Sequence, residues 1–158
     1  MKSKYKVVAG ILLGVAIPCF FITKLQQNCI NRWKNEAERN RGLFLLMEQW
    51  INIKQEGKNL KSYFEKNNYK RIAVYGMSHV GLRLIKELKE SGIEIVYGID
   101  RNAANIYADI KLVTMDDDFE AVDAIVITPI DGFEDICDAL SKKINCSFLS
   151  IEDIVNEI

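Results

Sequence analysis

Histidine is nearly absent from this chain: His79 is the only one in 158 residues. A metal site built on imidazoles is therefore excluded. No charge of one sign dominates either, with 21 Lys and Arg against 22 Asp and Glu. A nucleic-acid footprint needs a clustered basic surplus, so no nucleic-acid partner is expected. The four cysteines, Cys19, Cys29, Cys137 and Cys146, contain no C-x-x-C pair. They read as free thiols acting as small hydrophobes in a reducing compartment, not as a disulfide framework. Missing too is any nucleophile–base pair or H-x-x-E-type set, so no catalytic residue is assigned.

What the sequence does have begins with a long apolar run. After Lys2, Lys4 and Lys6, no charged residue occurs from Val7 to Ile22 (VVAGILLGVAIPCFFI). As a helix, residues 5–23 would extend roughly 28 Å, close to the hydrocarbon thickness of a bilayer. Two readings compete, a retained membrane anchor and a cleaved signal peptide. No A-x-A cleavage signal follows, and Ala16-Ile17-Pro18 before Cys19 makes a poor lipoprotein site, which favours the anchor. Lys24, Arg32, Lys34, Arg39 and Arg41 on the far side lean towards a single-pass protein of the cell membrane with a cytoplasmic C-terminus. Gly10 and Gly14 form G-x-x-x-G, which raises a homodimer through close helix approach against a plain lipid-facing pair.

Three segments follow: an anchor at 1–24, a helical stalk and lead-in at 25–68, and a compact domain at 69–158. Asn31 to Arg41 reads as a solvated helix with Trp33 and Ala37 on a weak apolar face. Leu43, Leu46, Met47, Trp50 and Ile51 fall at i, i+3, i+4, i+7 and i+8, one helix face that would dock on the domain or on a partner helix. Gly57 interrupts the pattern. Leu60, Tyr63 and Phe64 then mark a short helix ending at Asn67-Asn68.

From Lys70 the pattern changes. RIAVYG is a buried strand running into glycine; Gly76-Met77-Ser78-His79-Val80-Gly81 opens an amphipathic helix; IEIVYGID is a second strand ending on Asp100. Strand, glycine turn, helix, strand and terminal acid make one βαβ unit of about 30 residues. Gly76 permits the turn, and Gly81 lets the helix pack closely. The amides of Gly76, Met77, Ser78, His79 and Gly81 at the helix start would hold a phosphate. Asp100 would accept from ribose hydroxyls and disfavour a 2′-phosphate, an effect partly offset by Arg101. Ser78 stands where the dinucleotide fingerprint wants its middle glycine. Its Cβ crowds a pyrophosphate, while its hydroxyl suits a single phosphate. His79 is placed to pack near a phosphate or cap the helix before any role as acid or base. The contrary reading is a Rossmann fold that has lost its ligand.

The alternation continues. Residues 109–115 suggest a third strand, 122–128 a fourth, 146–149 a fifth. Asp131 is available to cap a helix whose inner face is Phe133, Ile136, Cys137 and Leu140, and Ser150 is expected to cap the last helix. Asp116, Asp117 and Asp118 form an acidic run that suggests a solvated helix start rather than a metal site. Tyr107 and Lys111 spell the Y-x-x-x-K of short-chain dehydrogenases, but before the third strand instead of on a later helix, so it reads as coincidence. The fold class is α/β, a small Rossmann-like doubly wound parallel sheet of about five strands in the order 3-2-1-4-5. Its ligand crevice should open where Gly76, Asp100 and Thr128 end their strands.

The stretches YKRIAVYGMSHVGLRLIKELKESGIEIVYGIDRNA, ADIKLVTMDDD, VDAIVIT and LSIEDIV, led in by LFLLMEQWINIKQEGKNLKSYFEKNNY, resemble small Rossmann domains of bacterial capsule and exopolysaccharide gene clusters. The resemblance spans roughly residues 43–158. More distantly, the chain is similar to the C-terminal domain of sugar C-methyltransferases and the N-terminal domain of sugar acyltransferases. The group's members commonly carry glycine at the position of Ser78. The resemblance implies a cell-surface polysaccharide context and a polysaccharide-synthesis enzyme as partner, but no reaction. A second likeness, to the regulatory domains of potassium uptake systems, implies sensing of NAD or another adenine nucleotide. Three functions stay open: a membrane-anchored nucleotide-binding module, an oxidoreductase or nucleotide-sugar-modifying subunit completed by another chain, and a non-binding scaffold.

Overall fold

The computed structural model describes the backbone from residue 2 and the side chains from residue 23 to the C-terminus. Two compact units result, Met1–Arg41 and Gly42–Ile158. The described residues of the first belong to a helix, α1 (Lys2–Gln55), which continues into the second. The expected membrane anchor at 5–23, with Gly10 and Gly14, lies outside the residues whose side chains are described, Thr23 apart. Among the described residues no helix is long and apolar enough to cross a membrane.

The second unit continues with α2 (Lys61–Lys66), β1 (Arg71–Tyr75), α3 (His79–Leu88), β2 (Glu94–Ile99), β3 (Leu112–Val113), β4 (Ala124–Ile127), α4 (Phe133–Ser141), β5 (Ser147–Ser150) and α5 (Ile151–Glu157). All five strands pair in parallel in the order β3-β2-β1-β4-β5. The order expected from the sequence is the order observed. Alternate strand residues serve opposite faces, as the two-residue strand period requires. Ile72, Val74, Ala124 and Val126 join Leu84 and Leu88 of α3 and Ile151 and Ile154 of α5 in one core. Ala73, Ile125, Ile127, Tyr97 and Ile99 join Leu140 of α4 in the other. Cys137 and Cys146 pack against that second core as free, half-buried thiols, and desolvation pushes both upward in pKa.

The lead-in is part of the first core. Leu46, Trp50, Ile53, Leu60 and Phe64 are buried in it. Ile51, expected on the inner face, is exposed instead, and Ile53 takes the buried place. The half-buried Glu87 of α3 gathers the lead-in. Its carboxylate accepts from Trp50 Nε1 at 2.7 Å and from the Leu60 amide at 3.0 Å, and Lys54 Nζ lies 3.1 Å away.

Three local expectations are corrected. The third strand is only Leu112–Val113, not 109–115. It ends where the Asp117 carboxylate accepts from the Thr114 amide and hydroxyl, at 2.6 and 2.9 Å, closing a turn. Those bonds hold the Asp117 carboxyl below its ordinary pKa, and no helix starts at 116–118. Asp131 does not cap α4. The N-cap is Gly132 in the left-handed region, φ 74°, with no side-chain bond. Ser150 does cap α5, accepting from the Glu152 amide at 3.2 Å.

Tyr97 offers a pH test of the second core. It is 2 % exposed, and its hydroxyl donates to the Glu120 carbonyl at 2.9 Å. Burial pushes the phenol up to about 12 from 10.0. The folded state thus favours the neutral form. Its contribution is fully present below the unfolded pKa and lost as pH rises from about 10 through about 12. We expect the thermal midpoint of Tyr97→Phe to fall less steeply than wild type over that window. At pH 7 the variant should lose about 1 kcal/mol with its hydrogen bond. Parallel alkaline melting curves would exclude the assignment.

Candidate functional site

The site lies at the C-terminal ends of β1, β2 and β4, where a doubly wound sheet opens its crevice. Gly76 ends β1 at φ +89°. A Cβ there would also lie 2.8 Å from Thr128 Oγ1 and 2.9 Å from Pro129 Cδ, so both conformation and space demand glycine. Met77 turns inward: it is 3 % exposed, and its sulfur would be 2.6 Å from a Cβ on Gly98. Ser78 is the N-cap of α3, extended and exposed, and its hydroxyl makes no capping bond. His79, the first residue of the helix, is exposed, and has no hydrogen-bonding or charged partner among the described residues. Gly81 faces the turn itself: a Cβ on it would stand 2.2 Å from the Gly76 carbonyl oxygen.

The result is an open donor cluster. Leu82 donates back to the Ser78 carbonyl at 3.0 Å. The preceding amides, of Ser78, His79, Val80 and Gly81, donate to no group among the described residues. A helix start of this kind presents N–H groups and the positive end of the dipole to an anion.

Asp100 sits beside it but is already engaged. One carboxylate oxygen accepts from the Met77 amide at 2.8 Å, the other from the Asn102 amide at 2.8 Å. It therefore braces the glycine turn against the end of β2. A carboxylate has about four acceptor positions, so capacity for ribose hydroxyls remains. Arg101 beside it is exposed. Thr128 is buried, and its hydroxyl is spent within the fold, 2.7 Å from the Gly76 carbonyl and 3.1 Å from that of Tyr75. It locks β4 to the turn and presents no donor to the crevice.

Sequence reasoning missed two contributors. Gly98 makes room for Met77 under the turn. Pro129, packed against Gly76, walls the same turn from the β4 side. A glycine inside a strand is the signal that would have found the first. Tyr107 is 91 % exposed, Lys111 is exposed too, and Y-x-x-x-K lies in the irregular stretch before β3 and not on a helix.

Two apolar clefts lie away from the turn. One, of about 560 Å³, is lined by Leu82, Ile85, Lys89, Ile93 and Tyr107; the other, of about 640 Å³, by Met47, Trp50, Ile51 and Arg83. The uncapped amides of residues 78–81 lie outside the lining of both clefts. Among the described residues no cluster of histidine, cysteine or acidic groups could hold a metal ion. Compared with protein-family models, curated proteins and solved structures, the chain matches none.

Proposed function

We propose that this protein is a membrane-anchored, nucleotide-binding accessory module of cell-surface polysaccharide synthesis. The observation that carries the nucleotide reading is the uncapped start of α3, with four unused amides beside a strand-terminal aspartate. One phosphate of the nucleotide would sit on the amides of residues 78–81, with Ser78 donating its hydroxyl. The ribose would face the free lone pairs of Asp100. NAD or another adenine nucleotide fits better than its 2′-phosphorylated form, because a second anion would meet Asp100. The apolar run at 7–22 supports the anchor, and a nucleotide ligand supports a cytoplasmic domain. The polysaccharide context rests on the sequence resemblance alone.

Calorimetric titration of the Gly42–Ile158 unit with NAD, NADP, ADP and nucleotide sugars tests this. Saturable binding, weakened at least about tenfold by Asp100→Ala, is the expected result; about 1.4 kcal/mol per tenfold matches one charged hydrogen bond. Because Asp100 also braces the turn, Ser78→Asp is the cleaner variant. Its carboxylate would cap the exposed helix start, raising stability by about 0.5–1 kcal/mol while repelling the phosphate. Absence of binding by wild type at millimolar ligand would leave the scaffold reading in front. Turnover of a nucleotide sugar would favour the partner-completed enzyme.

A further inference from the structure

Helix α1 carries more apolar residues than its own domain uses. Leu46, Trp50 and Ile53 are 5 %, 4 % and 2 % exposed, on the face turned to the first core. Phe44 and Ile51, on a different face, are 67 % and 53 % exposed. In the first unit, Ile30 and Trp33 are 58 % and 70 % exposed.

Counted along the sequence, the exposed Ile30, Trp33, Phe44 and Ile51 fall in one repeat, together with Ala37, Asn40 and Met47, the last half-buried against the first core. Ile30, Ala37, Phe44 and Ile51 recur every seven residues, and Trp33, Asn40 and Met47 fall three after the first three of them. That is the a/d repeat of a two-stranded coiled coil, sustained over three heptads. Thr23 and Gln26 precede the apolar stretch and Lys54 follows it, so the seam has polar ends. Asn40 is a polar layer within it, and any other register would set that amide against apolar side chains.

Charge identifies the occupant. With this register Glu36 is a g position and Arg41 the e position of the next heptad. These are the two places that meet between parallel, in-register copies. Both side chains are exposed, and neither has an ion-pair partner among the described residues. A parallel pair of identical chains joins Glu36 to Arg41 twice. We propose that residues 30–51 of α1 form a parallel two-stranded coiled coil with a second copy of this chain.

The full chain, purified in mild detergent, tests this by light scattering with the detergent contribution subtracted. Wild type should have twice the 18.1 kDa chain mass. Glu36→Arg alone and Arg41→Glu alone should each weaken the dimer about tenfold, since two attractions become two repulsions. The doubly exchanged chain, Glu36→Arg with Arg41→Glu, should recover wild-type dimerisation. Both sites are exposed, so folding is not at stake. A second measurement fixes the register. In a background lacking Cys19 and Cys29, Ala37→Cys should form an intermolecular disulfide under mild oxidation, and Glu38→Cys, on the outer face, should not. A monomeric wild type would overturn the proposal. So would a dimer indifferent to both single exchanges, which would place the contact elsewhere.

Discussion

Gly81→Ala is expected to destabilise the Gly42–Ile158 unit by about 3 kcal/mol, near the upper end for overpacking a close-packed site. The added Cβ would lie 2.2 Å from the Gly76 carbonyl oxygen, and that atom is backbone. It cannot rotate away, because the same carbonyl accepts from Thr128 Oγ1 at 2.7 Å. The helix start must therefore move off the turn, which also spreads the amides of residues 78–81. Gly98→Ala is the matched control. Its Cβ would meet Met77 Sδ at 2.6 Å and Leu112 Cδ2 at 2.9 Å, both ends of flexible side chains that can give way, and about 1 kcal/mol is expected. Urea denaturation of the two variants decides the matter. Equal costs would mean that the turn yields as easily as a methionine, and the close helix approach would lose its role in shaping the site.

The second large effect is expected at Glu87, a residue of α3 that contacts the lead-in and not the glycine turn. Glu87→Ala should cost about 3 kcal/mol, because it strands the Trp50 indole N–H and the Leu60 amide in a half-buried setting. Glu87→Gln keeps the shape and one acceptor oxygen, and about half that loss is expected. The damage should be local as well as global. Hydrogen exchange should show residues 42–66 losing protection first, since the carboxylate gathers both helices of the lead-in onto α3. Uniform loss of protection across the sheet would show that Glu87 contributes only general stability.

How much of this was legible beforehand depends on what kind of signal each feature leaves. The strands around Ala73 and Ile125 announce themselves as apolar runs buried on both faces. The helix at Val80, Leu84 and Leu88 announces itself by its spacing. Gly76 and Gly81 were readable because a strand that meets a helix through glycines has few geometries available. The role of Thr128 was not. As the last residue of an apolar run it could face the crevice or the sheet, and only the position of the Gly76 and Tyr75 carbonyls decides. Ile51 and Ile53 are both compatible with a helical stripe, and the choice between them depends on the angle at which α1 meets the first core.

By itself the sequence determined the α/β class, the parallel sheet and its order. Those follow from local periodicity and from general rules of chain connection that hold whatever the side-chain detail. It also determined the Ser150 cap, a contact with a residue two positions away. Tertiary structure alone decided that Asp100 braces the turn through Met77, 23 residues away in the chain, and that Glu87 clamps Trp50 across 37 residues. It also decided that Gly132 and not Asp131 begins α4. The physical reason is common to the two hydrogen-bonded contacts. Periodicity records which side of an element meets the core, whereas a hydrogen bond needs two particular atoms within about 3 Å. That meeting is set only when the helices and the sheet have packed.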